Sequence, residues 1–245
     1  VECYRTILDD TFREQLNFMR TKAYRHSRFS EVADSVYFND EYMTRYMHGL
    51  ALTAFIWPNH VEMRRFFLRS LPHDKGGHYL EIGPGHGFYF MTAMQLGGFE
   101  RFTGVDISKT SIELTRRIVD HHFPKENRPV NLVESDFLKS DVSERPFDAI
   151  VMGEVMEHVE QPQEFLSRIE DLAGPETHIF ITTCVNAPAI DHIYLFRNTD
   201  EVAEMIEAAG LRVVDSYVGA YFGKSLEESR RLNLPINVAY VLGKA

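Results

Sequence analysis

The chain has 245 residues, 44% of them apolar, and a formal charge of −10. That length suits one α/β domain carrying an added cap. So acidic a surface repels phosphate backbones, which argues against nucleic acid as a partner, and no apolar run approaches the roughly 20 residues of a membrane span.

Residues 1–72 contain no convincing strand. LDDTFREQLNFMRTKAYRHSRF reads as an amphipathic helix with Leu8, Phe12, Leu16 and Met19 as its apolar face. YMTRYMHGLALTAFIW and HVEMRRFFLRSL read the same way, with Pro58 and Pro72 as breaks and Asn59 as the expected cap of the third helix. From residue 78 the rhythm changes. HYLEIG is a short apolar strand running into a glycine turn. FYFMTAMQL has helical spacing, RFTGVDI is a second strand, and SIELTRRIVDHH a second helix. PVNLVESD and FDAIVMG are the third and fourth strands, the latter apolar enough to be buried on both faces. PQEFLSRIEDLA is a helix opened by Pro162, THIFITTC a strand, TDEVAEMIEAAG a helix closed by Gly210, and LRVVDSYVGA and INVAYVLGKA the last two strands. From residue 78 on, strand and helix alternate, which predicts an α/β, doubly wound sheet.

The two cysteines, Cys3 and Cys184, lack metal-ligand spacing and fit a reduced, cytoplasmic protein. The first residues, VECYRTILDD, do not read as a secretory signal. Eighteen Phe and eleven Tyr point to an aromatic-lined cavity beyond the core.

EIGPGHGF lies where the first strand turns into a helix, and its small residues let the backbone approach a ligand. A dinucleotide-binding dehydrogenase wants G-x-G-x-x-G, and Phe88 stands where the third glycine belongs; no Lys-Ser/Thr pair follows to make a P-loop. The second strand ends in Asp106, followed by Ile107, and a carboxylate there can accept both hydroxyls of a ribose. The third ends in Asp136 and Phe137, an acid and a ring suited to an adenine. Ligands of open α/β sheets bind at such carboxyl ends.

YLEIGPGHGF, GVDIS, ESDF and FDAIVMGEVMEHV together resemble the class I S-adenosylmethionine-dependent methyltransferases over residues 78–245. The resemblance implies a seven-stranded, mostly parallel sheet with one reversed strand. It implies a helical cap over the acceptor site at 1–72 and a cofactor-binding catalytic domain at 73–245. Glu81, Gly83, Gly85 and Gly87 would hold the methionine and ribose portion of S-adenosyl-L-methionine, Asp106 and Ile107 its ribose, and Asp136 and Phe137 its adenine, with Glu154 at the next strand tip.

GEVMEHVEQP follows the fourth strand. If the chain turns helical there, Glu154, Glu157 and His158 share one face, a half-site for a divalent cation. Asp191 and His192 follow the fifth strand and can reach the same side. This pattern resembles ubiquinone-biosynthesis O-methyltransferases and small-RNA 2′-O-methyltransferases, whose E-x-x-E-H segment binds metal. By that resemblance Glu154, Glu157, His158 and His192 are the ligands of a Mg, Mn, Fe or Zn ion. A metal-free base at His158 or His192 and a purely structural role stand beside this reading. The expected activity is methyl transfer to a small molecule, O-methylation ahead of N- or C-methylation, with Glu154, His158 and His192 around the reacting group. The alternative is a non-methylating member of the fold that uses the bound cofactor as a scaffold. Exposed cap helices offer a surface for a homodimer.

Overall fold

The computed structural model describes residues 1–73, 76–142 and 147–245. Seven strands form one sheet: β1 (His78–Ile82), β2 (Arg101–Asp106), β3 (Val130–Glu134), β4 (Phe147–Gly153), β5 (Ala173–Val185), β6 (Leu211–Gly219) and β7 (Ile236–Lys244). Their spatial order is β3-β2-β1-β4-β5-β7-β6. All pairings are parallel except those of β7, which runs against both β5 and β6. The chain winds outward from β1 to β3, returns to β4 beside β1, and winds the other way. The order therefore reverses between β1 and β4, and a crevice opens outside their carboxyl ends.

The pleat explains the burial of the central strands. Leu80 and Ile82 of β1, with Ile150 and Met152 of β4, face one side. They pack on α6 (Pro162–Leu172) and α7 (Thr199–Ala208) through Leu166, Ile169, Val202 and Ile206. Tyr79, Ala149 and Val151 face the other side, against α3 (Pro58–Ser70), α4 (Phe88–Leu96) and α5 (Lys109–His122). Phe66, Phe67 and Phe90 are fully buried there, each worth roughly 1.5–3 kcal/mol of transfer free energy.

The first two helices, α1 (Glu2–Thr21) and α2 (Asp40–Ile56), pack on one another and make, with Leu114 and Ile193, a third core. Asn39 caps α2 by accepting the Tyr42 N–H at 3.0 Å. The Asp40 carboxylate accepts the Thr110 hydroxyl of α5 at 2.7 Å and ties the helices to the sheet.

Three expectations need correction. The apolar stripe of α1 does not face inward: Leu8, Phe12, Leu16 and Met19 are 44%, 65%, 52% and 61% exposed. The buried face is Ile7, Asp10, Glu14 and Phe18. Asp10 accepts the Tyr42 hydroxyl at 2.6 Å, and Glu14 pairs with Arg25 at 2.8 Å, so this helix buries acids that find partners. The helix also stops at Thr21, where Lys22 adopts a left-handed conformation, well short of Phe29. Asn59 is not a cap: Pro58 opens α3 after Trp57, and the Asn59 amide donates to the Gly219 and Ala220 carbonyls. A short helix that the sequence reading passed over, α8 (Leu226–Leu232), sits between β6 and β7, opened by a Ser225/Glu228 capping box.

Candidate active site

The crevice at the strand tips opens into a cavity of about 1320 Å³, walled by the glycine loop, the tips of β2 to β5 and the N-terminal helices. Gly83, Gly85 and Gly87 all have positive φ, at 68°, 55° and 74°. At Gly83 a Cβ would land 2.6 Å from Cγ2 of Val155, so the loop is packed as well as twisted.

Four acids line the cavity in succession. Glu81, at the end of β1, accepts the Tyr79 hydroxyl at 2.5 Å, and burial raises its pKa to about 8. Asp106 accepts the Ser108 N–H at 2.9 Å and the Gly85 N–H at 3.1 Å; burial nonetheless raises it to about 6. Ile107 lies beside it on the wall. Asp136 accepts the Leu138 N–H at 3.0 Å and pairs with Lys139 at 2.8 Å. Phe137 reaches the cavity but is only 4% exposed, packed on Phe165 with the Arg168 guanidinium over its ring. The Glu154 carboxyl completes the series, and its Oε1 is buried without a hydrogen-bond partner among the described residues.

GEVMEHVEQP does not form the helical face expected of it. Glu154 takes φ of 50°, a left-handed kink directly after β4, with its N–H held by the Thr182 carbonyl and hydroxyl at 3.1 and 3.0 Å. Only Met156–His158 then makes a single 3₁₀ turn. The kink sends Glu157 inward, where it is fully buried and accepts the Thr183 hydroxyl at 2.7 Å. Burial, with the Glu154 charge beside it, holds the Glu157 carboxyl well above the usual range, and burial raises Glu154 as well.

His158 instead faces the loop after β5. Its Nδ1 lies 3.1 Å from the Asp191 carbonyl and 3.3 Å from Asp191 Oδ2. Nδ1 therefore carries the proton, and Nε2 has no protein partner among the described residues. Asp191 also accepts the Tyr46 hydroxyl at 2.8 Å and the Tyr37 hydroxyl at 3.3 Å. His192 stands edge-on to His158, ring centroids 4.7 Å apart. Its Nδ1 lies 2.6 Å from the Ala187 carbonyl, and burial lowers its pKa to about 3.

Among the described residues, two sets of potential ligand atoms fall within 4.8 Å of one another: Glu157, Cys184 and His192, and His158, Asp191 and His192. Of the four residues expected as one ligand set, Glu157, His158 and His192 are divided between these overlapping groups, and Glu154 belongs to neither. Cys184, Tyr37 and Tyr46 enter the site from outside the motif. The DH pair was visible as chemistry-bearing; Cys184 looked like an ordinary strand residue, and nothing in the pattern around Tyr37 marked it.

The walls offer acceptors far more than cations. Glu81, Asp106, Glu157 and Asp191 have their carboxyls on hydroxyls, backbone N–H groups or an imidazole, and neither they nor Glu154 pair with Lys or Arg among the described residues. A ligand rich in donors and positive charge fits such a wall.

The sequence profile of a family described as a methyltransferase domain matches residues 59–216. Two curated relatives are ubiquinone biosynthesis O-methyltransferases. The one from Coxiella burnetii is 26% identical over 160 residues, covering 58% of this chain and 66% of that protein. The mitochondrial one from Dictyostelium discoideum is 24% identical over 139 residues, covering 54% and 42%. The chain thus spans less than two thirds of either relative. Among solved structures, the mitomycin 7-O-methyltransferase MmcR superposes with a TM-score of 0.63 at 14% identity, covering 96% of this chain and 68% of that one. With the strand order, the glycine loop and a profile match over most of its length, the chain belongs to the methyltransferase-domain family, in class I of the S-adenosylmethionine-dependent enzymes.

Proposed function

We propose that this protein transfers the methyl group of S-adenosyl-L-methionine to a hydroxyl of a small molecule. The observation that carries the reading is the Asp191–His158 pair: an imidazole with its Nδ1 fixed and its Nε2 free, in a cavity next to the glycine loop. The two ubiquinone O-methyltransferase relatives support the choice of oxygen.

The donor set fits the cofactor. Its ammonium, ribose hydroxyls and adenine amino group are donors, and the wall supplies acceptors at Glu81, Asp106, Asp136 and Glu154. Gly83 and Gly85 keep the loop bare of side chains beside them. When bound, S-adenosylmethionine supplies an electrophilic methyl group on a sulfonium. The chain's own work is to align the acceptor, exclude water and take a proton. His158 Nε2 accepts the hydroxyl proton, and the Asp191 carboxylate stabilises the charge that then forms on the ring. Tyr37 and Tyr46 hold Asp191 in place. Both precede the glycine loop, which supports reading residues 1–72 as a cap over the acceptor and 73–245 as the catalytic domain.

A divalent cation also fits. Glu157, Cys184 and the His192 imidazole, whose Nδ1 points at the Ala187 carbonyl, are ligand types found at Zn and Fe(II) sites. Such an ion would lie on Glu157, Cys184 and His192, and would lower the pKa of a hydroxyl bound beside it. Two measurements test these readings. Titration calorimetry with S-adenosylhomocysteine should show one site per chain, and no binding refutes the methyl-transfer reading. Metal analysis of protein prepared without chelator should show about one equivalent of metal, lost in Glu157→Ala; metal-free protein that fails to take up zinc or iron refutes the cation alone.

A further inference from the structure

The same cavity holds a second pair of imidazoles that the reaction above leaves unused. His60 lies in the first turn of α3, and His86 is the middle residue of GHG in the glycine loop. Both rings line the cavity.

Their tautomers follow from their neighbours. The Thr53 hydroxyl oxygen is 2.7 Å from the Leu50 carbonyl, a separation that places the hydroxyl hydrogen between them. Thr53 has no second hydrogen, so at its 2.8 Å contact with His60 Nδ1 it accepts. His60 therefore carries its proton on Nδ1 and presents a lone pair on Nε2. His86 is the reverse. The Phe88 N–H donates to its Nδ1 at 3.3 Å, so the proton of the neutral ring is on Nε2. Burial holds both rings neutral, each with its pKa lowered to about 4, and a charge on His86 would oppose one on His60. Neither Nε2 has a protein partner among the described residues. The Trp57 ring, 5.0 Å from His60, gives the spot an aromatic wall.

We infer that His60 Nε2 and His86 Nε2–H form a subsite for a neutral hydroxyl of the methyl acceptor, one distinct from the hydroxyl that reacts. A hydroxyl donates to the first ring and accepts from the second. A carboxylate would face the His60 lone pair, and an ammonium the His86 N–H, so an ionic group satisfies one ring and is repelled by the other. The acceptor is thus a molecule with at least two hydroxyls on a largely apolar, aromatic-compatible frame. This rests on the methyl-transfer reading only in taking the ligand to be the acceptor.

The test is long-range ¹H–¹⁵N correlation of the histidine rings near neutral pH, with phenol and then anisole titrated into the protein. His60→Phe and His86→Phe assign the signals. Expected are an Nδ1–H ring at His60, an Nε2–H ring at His86, shifts of both Nε2 signals with phenol, and affinity for phenol roughly tenfold or more above anisole. His60→Phe should bind S-adenosylhomocysteine as the parent does, and both variants should lose the preference for phenol. The opposite tautomer at either ring, or equal affinity for phenol and anisole, overturns the inference. So does loss of S-adenosylhomocysteine affinity in His60→Phe, which would give the pair to the cofactor. If the parent itself does not bind S-adenosylhomocysteine, the methyl-transfer reading falls, and the phenol titration still decides the subsite.

Discussion

Asp191→Asn is the sharpest test of the proposed base. The amide is nearly the size of the carboxylate, and its oxygen can still accept from Tyr46 at the 2.8 Å site, so the local packing survives. The tautomer of His158 survives too, because its Nδ1 is closer to the Asp191 backbone carbonyl, at 3.1 Å, than to Oδ2, at 3.3 Å. What is lost is the negative charge facing the imidazolium. A hydrogen bond to a charged group contributes about 1.5–3 kcal/mol, and Coulomb's law at an effective dielectric of about 20 and this separation allows up to about 5 kcal/mol. The lower range is the better guide here, since the carbonyl bond remains. The turnover rate should therefore fall roughly 10- to 100-fold, measured as S-adenosylhomocysteine release with a dihydroxybenzene that the parent methylates. It should not fall by the roughly 10⁴ that follows a wrong tautomer. Affinity for S-adenosylhomocysteine should not change. A rate within about threefold of the parent, or a parallel loss of cofactor binding, would refute the assignment of His158 as base and Asp191 as its partner.

Other outcomes follow from the same geometry. Gly83→Ala places a methyl group 2.6 Å from Val155 at φ of 68°; it should cost about 2 kcal/mol of stability and weaken S-adenosylhomocysteine binding at least tenfold by calorimetry. The ligand-free protein should lose stability as pH rises from about 6.5 to 8, because Glu81 keeps a proton in the folded state up to about 8 and loses it near 4.5 in the unfolded chain. That window corresponds to about 2 kcal/mol, and Glu81→Gln should make the slope shallower in urea titrations; an unchanged slope would remove Glu81 as a source. On the acid side His60, His86 and His192 act in the opposite sense: each is protonated more readily unfolded than folded, so stability they contribute at pH 7 is lost as pH falls below about 6.5. On α1, Phe12→Ser should change stability by less than about 0.5 kcal/mol, whereas Ile7→Ala should cost about 2–4 kcal/mol. Comparable losses from the two would mean that the stripe of Leu8, Phe12, Leu16 and Met19 is covered in solution.

The sequence by itself determined the sheet and the cofactor end of the site. Strand and helix alternation is local, set by side-chain period and by glycine and proline at the ends, and a buried central strand such as FDAIVMG has few other conformations open to it. The acids at successive strand tips were legible for the same reason: once the strands are placed, their carboxyl ends are placed. Tertiary structure decided the rest. The facing of α1 was not legible, because two stripes of the helix are possible and the one carrying Asp10 and Glu14 found partners in Tyr42 and Arg25 from elsewhere in the chain. GEVMEHVEQP was legible as chemistry but not as geometry. A helix would have put Glu154, Glu157 and His158 on one face; hydrogen bonds from Thr182 of the neighbouring strand stabilise a left-handed residue instead. That kink divides the motif, sending Glu157 toward β5 and His158 toward Asp191. The pairings that matter most, Asp191 with Tyr37 and Tyr46, and Glu157 with Thr183, join residues far apart in the chain, and only the fold brings such residues together.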